Sequence, residues 1–331
     1  MRWSHLLIVC AAVVASPFVC ADAAETIPLA VQARIALGNV QGRIDHLAVD
    51  LKRQRLYVAE LGNDTVGVVD LKEGKVVQTL RGLKEPQGIG YEPTTDTVYV
   101  ANGKDGTVRL YKGADLAPLG SIELGGDDAD NVRIEEAAHR VWVGYGSGSL
   151  AAIDADSRHK VADIPLPAHP ESFRLDPDGP QIFVNLPRAR QIAVVDRSAN
   201  KPVATWKTDL LLGNFPLVFD DRGQILSVFR VPARLAVFRK QDGQRLQVLD
   251  TCGDSDDLFF DSKRQRVYVT CGEGAIDAFS HEASGYQHVG RLATSSGART
   301  SLFVPELDRL YLAVRATSST PAAVWVVRPE P

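Results

Sequence analysis

The sequence predicts an all-β fold: a seven-bladed β-propeller, four antiparallel strands per blade, with the ring closed by the N-terminal strand. Three observations point there. A strand word, "RLYVAE" at 55, returns as "TVYVAN" (97), "RVWVGY" (140), "QIFVNL" (181), "QILSVF" (224), "RVYVTC" (266) and "RLYLAV" (309). Its third position reads Tyr57, Tyr99, Trp142, Phe183, Leu226, Tyr268 and Tyr311, at successive spacings of 42, 43, 41, 43, 42 and 43 residues. Between the words the apolar runs are short and rich in β-branched residues, Gly, Pro, Asp and Asn bound them, and none holds a long helical period. Four strands repeating every ~40–45 residues is the pattern of a propeller blade.

The elements follow in order within each repeat. An inner strand precedes each word, marked by the pairs Leu47/Val49, Ile89/Tyr91, Val132/Ile134, Phe173/Leu175, Leu217/Phe219, Leu258/Phe260 and Leu302/Val304. The word is the second strand. A third follows, as in "TVGVVD" (65) or "AVWVVR" (323), and six repeats add a fourth, such as "KVVQTL" (75) or "RLQVLD" (245). The seventh repeat ends after its third strand, while residues 26–37, "TIPLAVQARIAL", precede the first repeat with no other partner. Pairing that segment with the last blade removes two exposed sheet edges.

The words "YVAE" (57), "YVAN" (99) and "YVTC" (268) resemble those of the bacterial YVTN-repeat propeller family, over essentially all of residues 25–331. The resemblance implies the fold and carries no activity with it, since the word is a packing motif.

Arg2, the apolar run Leu6–Val19 and the small residues Ala21, Ala23 and Ala24 read as a signal peptide over residues 1–24, so a periplasmic or secreted chain is expected. Residues 25–331 are then one propeller, without membrane insertion and expected to be a monomer. The formal charge of -4 argues against a nucleic-acid partner. "GYGSGS" at 144 joins two strands and opens no helix, which removes dinucleotide and phosphate-loop readings. Lys52, Arg53, Arg55, Lys263, Arg264 and Arg266 fall at turns on one face, where solvation of hairpins is the expected role.

Function is sought on the other face. The loops entering the inner strands share that rim with the loops joining second to third strands. They bring together the candidate ligand-binding residues Asp45, His46, Glu85, Asp130, Asn131, His169, Glu171, Asn214, Asp256, Asp257 and Arg299. Two readings stay open for the acids. Asp130, Asn131, Glu171 and Asp256 could offer oxygens to a divalent cation of the calcium type; alternatively, the acids cap strand starts and solvate a tunnel. Two functions compete accordingly. The first is an exported binding module whose polar, acidic mouth takes a small molecule or a protein partner. The second is a metal-assisted, lactonase-like hydrolase, with His46 or His169 moving protons. No catalytic residue is assigned.

Cys252 and Cys271 remain after removal of the segment holding Cys10 and Cys20. Both fall on the same rim of the sixth blade. A disulfide is preferred for an exported chain, over a free thiol pair or a metal-thiolate centre, for which two cysteines without nearby histidines are too few ligands.

Overall fold

The computed structural model describes residues 28–331. The segment read as a signal peptide lies outside the described residues, as do Cys10, Cys20 and the first two positions of the expected closing strand. The described strands form seven four-stranded sheets, six of which are simple meanders of consecutive strands. In blade 1 these are Leu47–Asp50, Arg55–Glu60, Thr65–Asp70 and Lys75–Leu80, running from the axis outward. The seventh sheet combines both ends of the chain: Ser301–Val304, Arg309–Val314 and Ala323–Pro329 are completed by Leu29–Ala36. That closing strand runs antiparallel, with Leu29 opposite Pro329 and Ala36 opposite Ala323, and one register shift between Val31 and Ala33. The Arg34 guanidinium lies 4.4 Å above the Trp325 ring across this seam, a cation–π contact.

The repeated word owes its composition to its place. As second strand it is covered on both faces by neighbouring blades, so residues such as Leu56, Tyr57, Val58 and Ala59 have no exposed surface. Its large third residue packs onto the following blade. Tyr57 clusters with Ile89, Val98 and Val100 of blade 2, and Tyr99 with Val132, Val141 and Val143 of blade 3. Trp142 joins Phe173 and Ile182, and Phe183 joins Leu217, Ile225 and Phe229. Leu226 meets Leu258 and Val267, and Tyr268 meets Phe303 and Leu310. Tyr311 completes the circle against Leu47, Leu56 and Val58 of blade 1, with Ile35 of the closing strand beside it. Seven hydrophobic clusters therefore fill seven blade interfaces. The outermost strands have one free face, which leaves Val77, Val161, Val203, Leu246 and Val248 partly exposed.

The basic residues of the turns do more than solvate hairpins. Arg53 of blade 1 bonds Asp50 in its own turn and Asp96 of blade 2, both at 2.7 Å. Arg264 makes the same bridge from Asp261 to Asp308 of blade 7, at 3.0 and 2.6 Å. These bidentate, partly buried pairs clasp adjacent blades on the face opposite the candidate site. Among the described residues no helix is long and apolar enough to cross a membrane.

Cys252 and Cys271 are disulfide-bonded, with Cα atoms 5.8 Å apart. The bond is buried in the cluster between blades 5 and 6 and ties the loop entering the inner strand Ser255–Asp261 to the end of the word Arg266–Cys271.

Two measurements check the fold. Replacing both cysteines by serine is expected to lower the unfolding free energy by about 3 kcal/mol, the chain-entropy value for a loop of this length; an unchanged urea midpoint contradicts it. Ile35→Asp places a charge in the seam and is expected to cost at least about 3 kcal/mol, read as a lowered melting temperature and faster proteolysis.

Candidate functional site

The seven loops that enter the inner strands meet around the axis, and they enclose a cavity of about 230 Å³ to which all seven blades contribute. In blades 1, 2 and 6, backbone hydrogen bonds link the entering loop to the loop between second and third strands. Gly62 N–H donates to Arg43 O, Gly103 N–H to Glu85 O and Gly272 N–H to Asp254 O. Both loop sets therefore share one face, as expected.

His46, from blade 1, stands at the centre of the acids. Its Nε2 lies 3.8 Å from Asp45 and 3.6 Å from Asp130, and its Nδ1 lies 3.8 Å from Asp257. Burial lowers its pKa, against the opposing pull of Asp257. Asp257 sits beneath it, accepting the Ser301 N–H at 2.7 Å; burial raises this carboxyl, with His46 opposing. Asp45 is likewise raised by burial, opposed by Arg43, whose Nη2 is 2.8 Å away, and by Arg299.

Blades 3 and 4 supply the next arc. Asp130 is raised well above the ordinary carboxylate range, first by burial and then by repulsion from Asp45, Glu171 and Asp256. Glu171 is raised by burial, opposed by His169. The His169 ring is buried and fixed by Nδ1, 2.7 Å from the Gly146 carbonyl. Asp128 approaches the same nitrogen at 3.5 Å and accepts from Gln87 Nε2 of blade 2 at 3.0 Å.

Blades 5 to 7 carry guanidinium groups. Asp256 is held between Arg230 Nη2 at 2.7 Å and Arg299 Nε at 2.9 Å. Arg299 also donates to both oxygens of Asp254, at 2.9 and 3.0 Å. The Arg230 guanidinium stacks 3.4 Å above the Phe215 ring. Burial still raises Asp256, with Arg299 and then Arg230 opposing. Deeper on the inner strands stand Arg133, pushed down to about 9 by burial and by Arg174, and Arg174 itself, also lowered by burial.

Eight of the eleven residues expected at the mouth therefore line the cavity: Asp45, His46, Asp130, Asn131, His169, Glu171, Asp256 and Arg299. Three need correction. Asp257 supports His46 from below. Glu85 turns away from the axis; it is exposed beside Lys104 and its N–H donates to Asp64. Asn214 is wholly buried and bonds Asn185 Oδ1 and Gln191 O, each at 3.0 Å, so it staples blades 4 and 5. Of the four residues expected to offer oxygens to a calcium-type ion, Asn131 and Asp256 have other partners. The Asn131 side chain is engaged at both ends, donating to the Glu171 carbonyl and accepting from Arg133 Nη2, while Asp256 is neutralised by two arginines.

Sequence reasoning missed Arg43, Arg230, Arg133 and Arg174. The last two had a visible signal. They occupy the position between the apolar pair of the inner strand, where the other blades carry Ala48, Gly90, Val218, Phe259 and Phe303.

No family profile and no curated relative matches the chain. Solved structures do. The chain is similar to a chain of the Kuenenia stuttgartiensis hydrazine synthase, at 15% identity and TM-score 0.73, covering 88% of this chain and 97% of the other. It is also similar to a chain of a mitotic checkpoint complex, at 15% identity and TM-score 0.75, covering 98% and 99% respectively. At this identity the likeness is one of fold.

The buried histidine gives a pH test. A folded pKa below the unfolded value of about 6.5 means that the unfolded chain takes up the proton first. His46 therefore imposes no penalty above pH ~6.5, and it destabilises as the pH falls toward its depressed folded value. Relative to His46→Gln, the wild type should lose up to about 1.4 kcal/mol per pH unit in that window. Parallel urea midpoints for the two proteins between pH 7.5 and 5.5 would refute this.

Proposed function

We propose that the chain is an exported binding module whose axial mouth takes a small, charged ligand. The observation that supports this best is the separation of charge around one small cavity. Asp130, Glu171 and Asp128 of blades 3 and 4 face Arg230 and Arg299 of blades 5 and 7. A cationic group is favoured on the first arc and a carboxylate or other anionic group on the second, where charge-assisted hydrogen bonds in a desolvated pocket are strong. Carboxylates whose pKa is raised by burial are destabilising features that a ligand relieves, which is why perturbed acids gather at functional sites.

Export rests on the N-terminal sequence pattern and agrees with the Cys252–Cys271 disulfide. Membership of the YVTN-repeat propellers rests on the strand words. Chains of similar fold occur in a hydrazine synthase and in a mitotic checkpoint complex, and the fold by itself does not choose between catalysis and interaction. A protein partner seated on the rim would use the same residues. The hydrolase reading is favoured by a single feature, the grouping of Asp130, His169 and Glu171, which is argued below for its metal chemistry alone.

A thermal-shift screen of the mature chain against amino acids, polyamines, hydroxy acids and sugar phosphates tests the proposal. Hits are expected to lose affinity about 10- to 100-fold in Glu171→Gln and in Arg299→Gln, the loss of one charge-assisted bond. Hits that bind both variants as tightly as the wild type would place the site elsewhere.

A further inference from the structure

We propose that Asp130, His169 and Glu171 form a binding site for a divalent transition-metal ion of the zinc class. The inference rests on the mouth being a binding site and specifies what occupies its acidic arc. Each of the three residues offers one ligand atom, and the three atoms lie within 4.8 Å of one another. Small side-chain rotations close that span onto one ion.

Two further observations set this group apart from a solvated acidic patch. Asp130 is 7% exposed, lines the cavity, and its Oδ1 has no hydrogen-bond partner. The basic nitrogen that approaches it, His46 Nε2, lies at 3.6 Å, beyond hydrogen-bond reach. A buried carboxylate oxygen without a partner is costly, and a cation is one way to satisfy it. His169 is oriented as metal-bound histidines are. The Gly146 carbonyl can only accept, so in the neutral ring Nδ1 carries the proton and Nε2 has the lone pair. Asp128 beside Nδ1 favours the same tautomer.

The third ligand is anchored through its backbone. Glu171 N–H donates to Asn185 O, and Glu171 O accepts from the Asn131 side chain, so both peptide groups are fixed before the carboxylate is used. One imidazole nitrogen with two carboxylate oxygens suits zinc and its first-row neighbours. Calcium prefers six to eight oxygens, and the oxygens of Asn131 and Asp256 are already committed to arginines. Three protein ligands leave at least one position open toward the cavity, on the side where Arg230 and Arg299 stand. An anionic ligand could then bridge ion and guanidinium.

The test uses the mature chain stripped with EDTA and titrated calorimetrically with Zn²⁺, with Ca²⁺ for comparison and Co²⁺ as an optical reporter. One Zn²⁺ per chain is expected, bound at micromolar concentration or tighter and preferred over Ca²⁺ by at least tenfold, with a visible Co²⁺ band. His169→Gln and Glu171→Gln should each weaken Zn²⁺ binding at least tenfold and weaken the Co²⁺ band. Circular dichroism and melting of both metal-free variants should match the wild type, and His281→Gln, on the outer part of blade 6, should bind Zn²⁺ normally. Absence of Zn²⁺ binding overturns the inference, and so does binding that both site variants retain or a preference for Ca²⁺. The small-ligand screen repeated in EDTA separates the two ideas. Hits that persist without metal, while Zn²⁺ fails to bind, leave the mouth a ligand site and end the metal site alone.

Discussion

The structure depends on one repeated act of packing: the third residue of each second strand is buried against the blade that follows. Each blade gives such a side chain and receives one, so no blade is complete by itself. An open row of seven would leave the first blade without a donor and the last without an acceptor. Tyr311 and Ile35, meeting Leu56 and Val58 at the seam, resolve both ends at once. Because the interfaces are alike, the seven inner strands stand around one axis, and the loops that enter them converge. The position of the mouth is thus a consequence of how the word packs.

Similar residue types behave in opposite ways on the two faces of the ring. On the far face, carboxylates such as Asp308 and Asp96 are held below their ordinary range, Asp308 chiefly by its bonds to Arg264 and Asp96 by those to Arg53 against a burial penalty. At the mouth, Asp45, Asp130, Glu171, Asp256 and Asp257 are all raised, with burial the first cause. The first arrangement strengthens blade contacts. The second costs stability, and the packed ring is rigid enough to tolerate it. Acids raised by burial around one small cavity accord with the proposed ligand site.

The fold was legible because packing imposes a period, and the period stands in the sequence as the word that recurs every 41 to 43 residues. The register of the inner strands followed from the same period, which is why Asp45, Asp130, Glu171 and Asp256 could be aligned and do meet. Legibility failed where side-chain direction decides. Glu85 and Asn214 occupy the right loops, but one takes a left-handed backbone conformation and turns outward, and the other is drawn into an amide ladder with Asn185. Arg53 and Arg264 looked like solvated turn residues because their partners are a blade away, and no local pattern records that distance. Arg230 was hidden for the same reason: the carboxylates it pairs with, Asp254 and Asp256, come from the next blade.

Closure by the two ends of the chain has a consequence for binding itself. Asp45 and Arg299 belong to blades 1 and 7, and the loops that bear them touch where Thr300 bonds the Ile44 carbonyl across 256 positions of sequence. The wall of the cavity therefore crosses the junction whose chain connection, residues 37–46, starts from a strand that hydrogen bonds alone hold to Ala323–Pro329. A ligand engaging both residues acts as a clasp on that junction. Its affinity for the closed ring is then, by thermodynamic linkage, a contribution to keeping the ring closed. Occupancy of the mouth and integrity of the propeller become two readings of a single equilibrium.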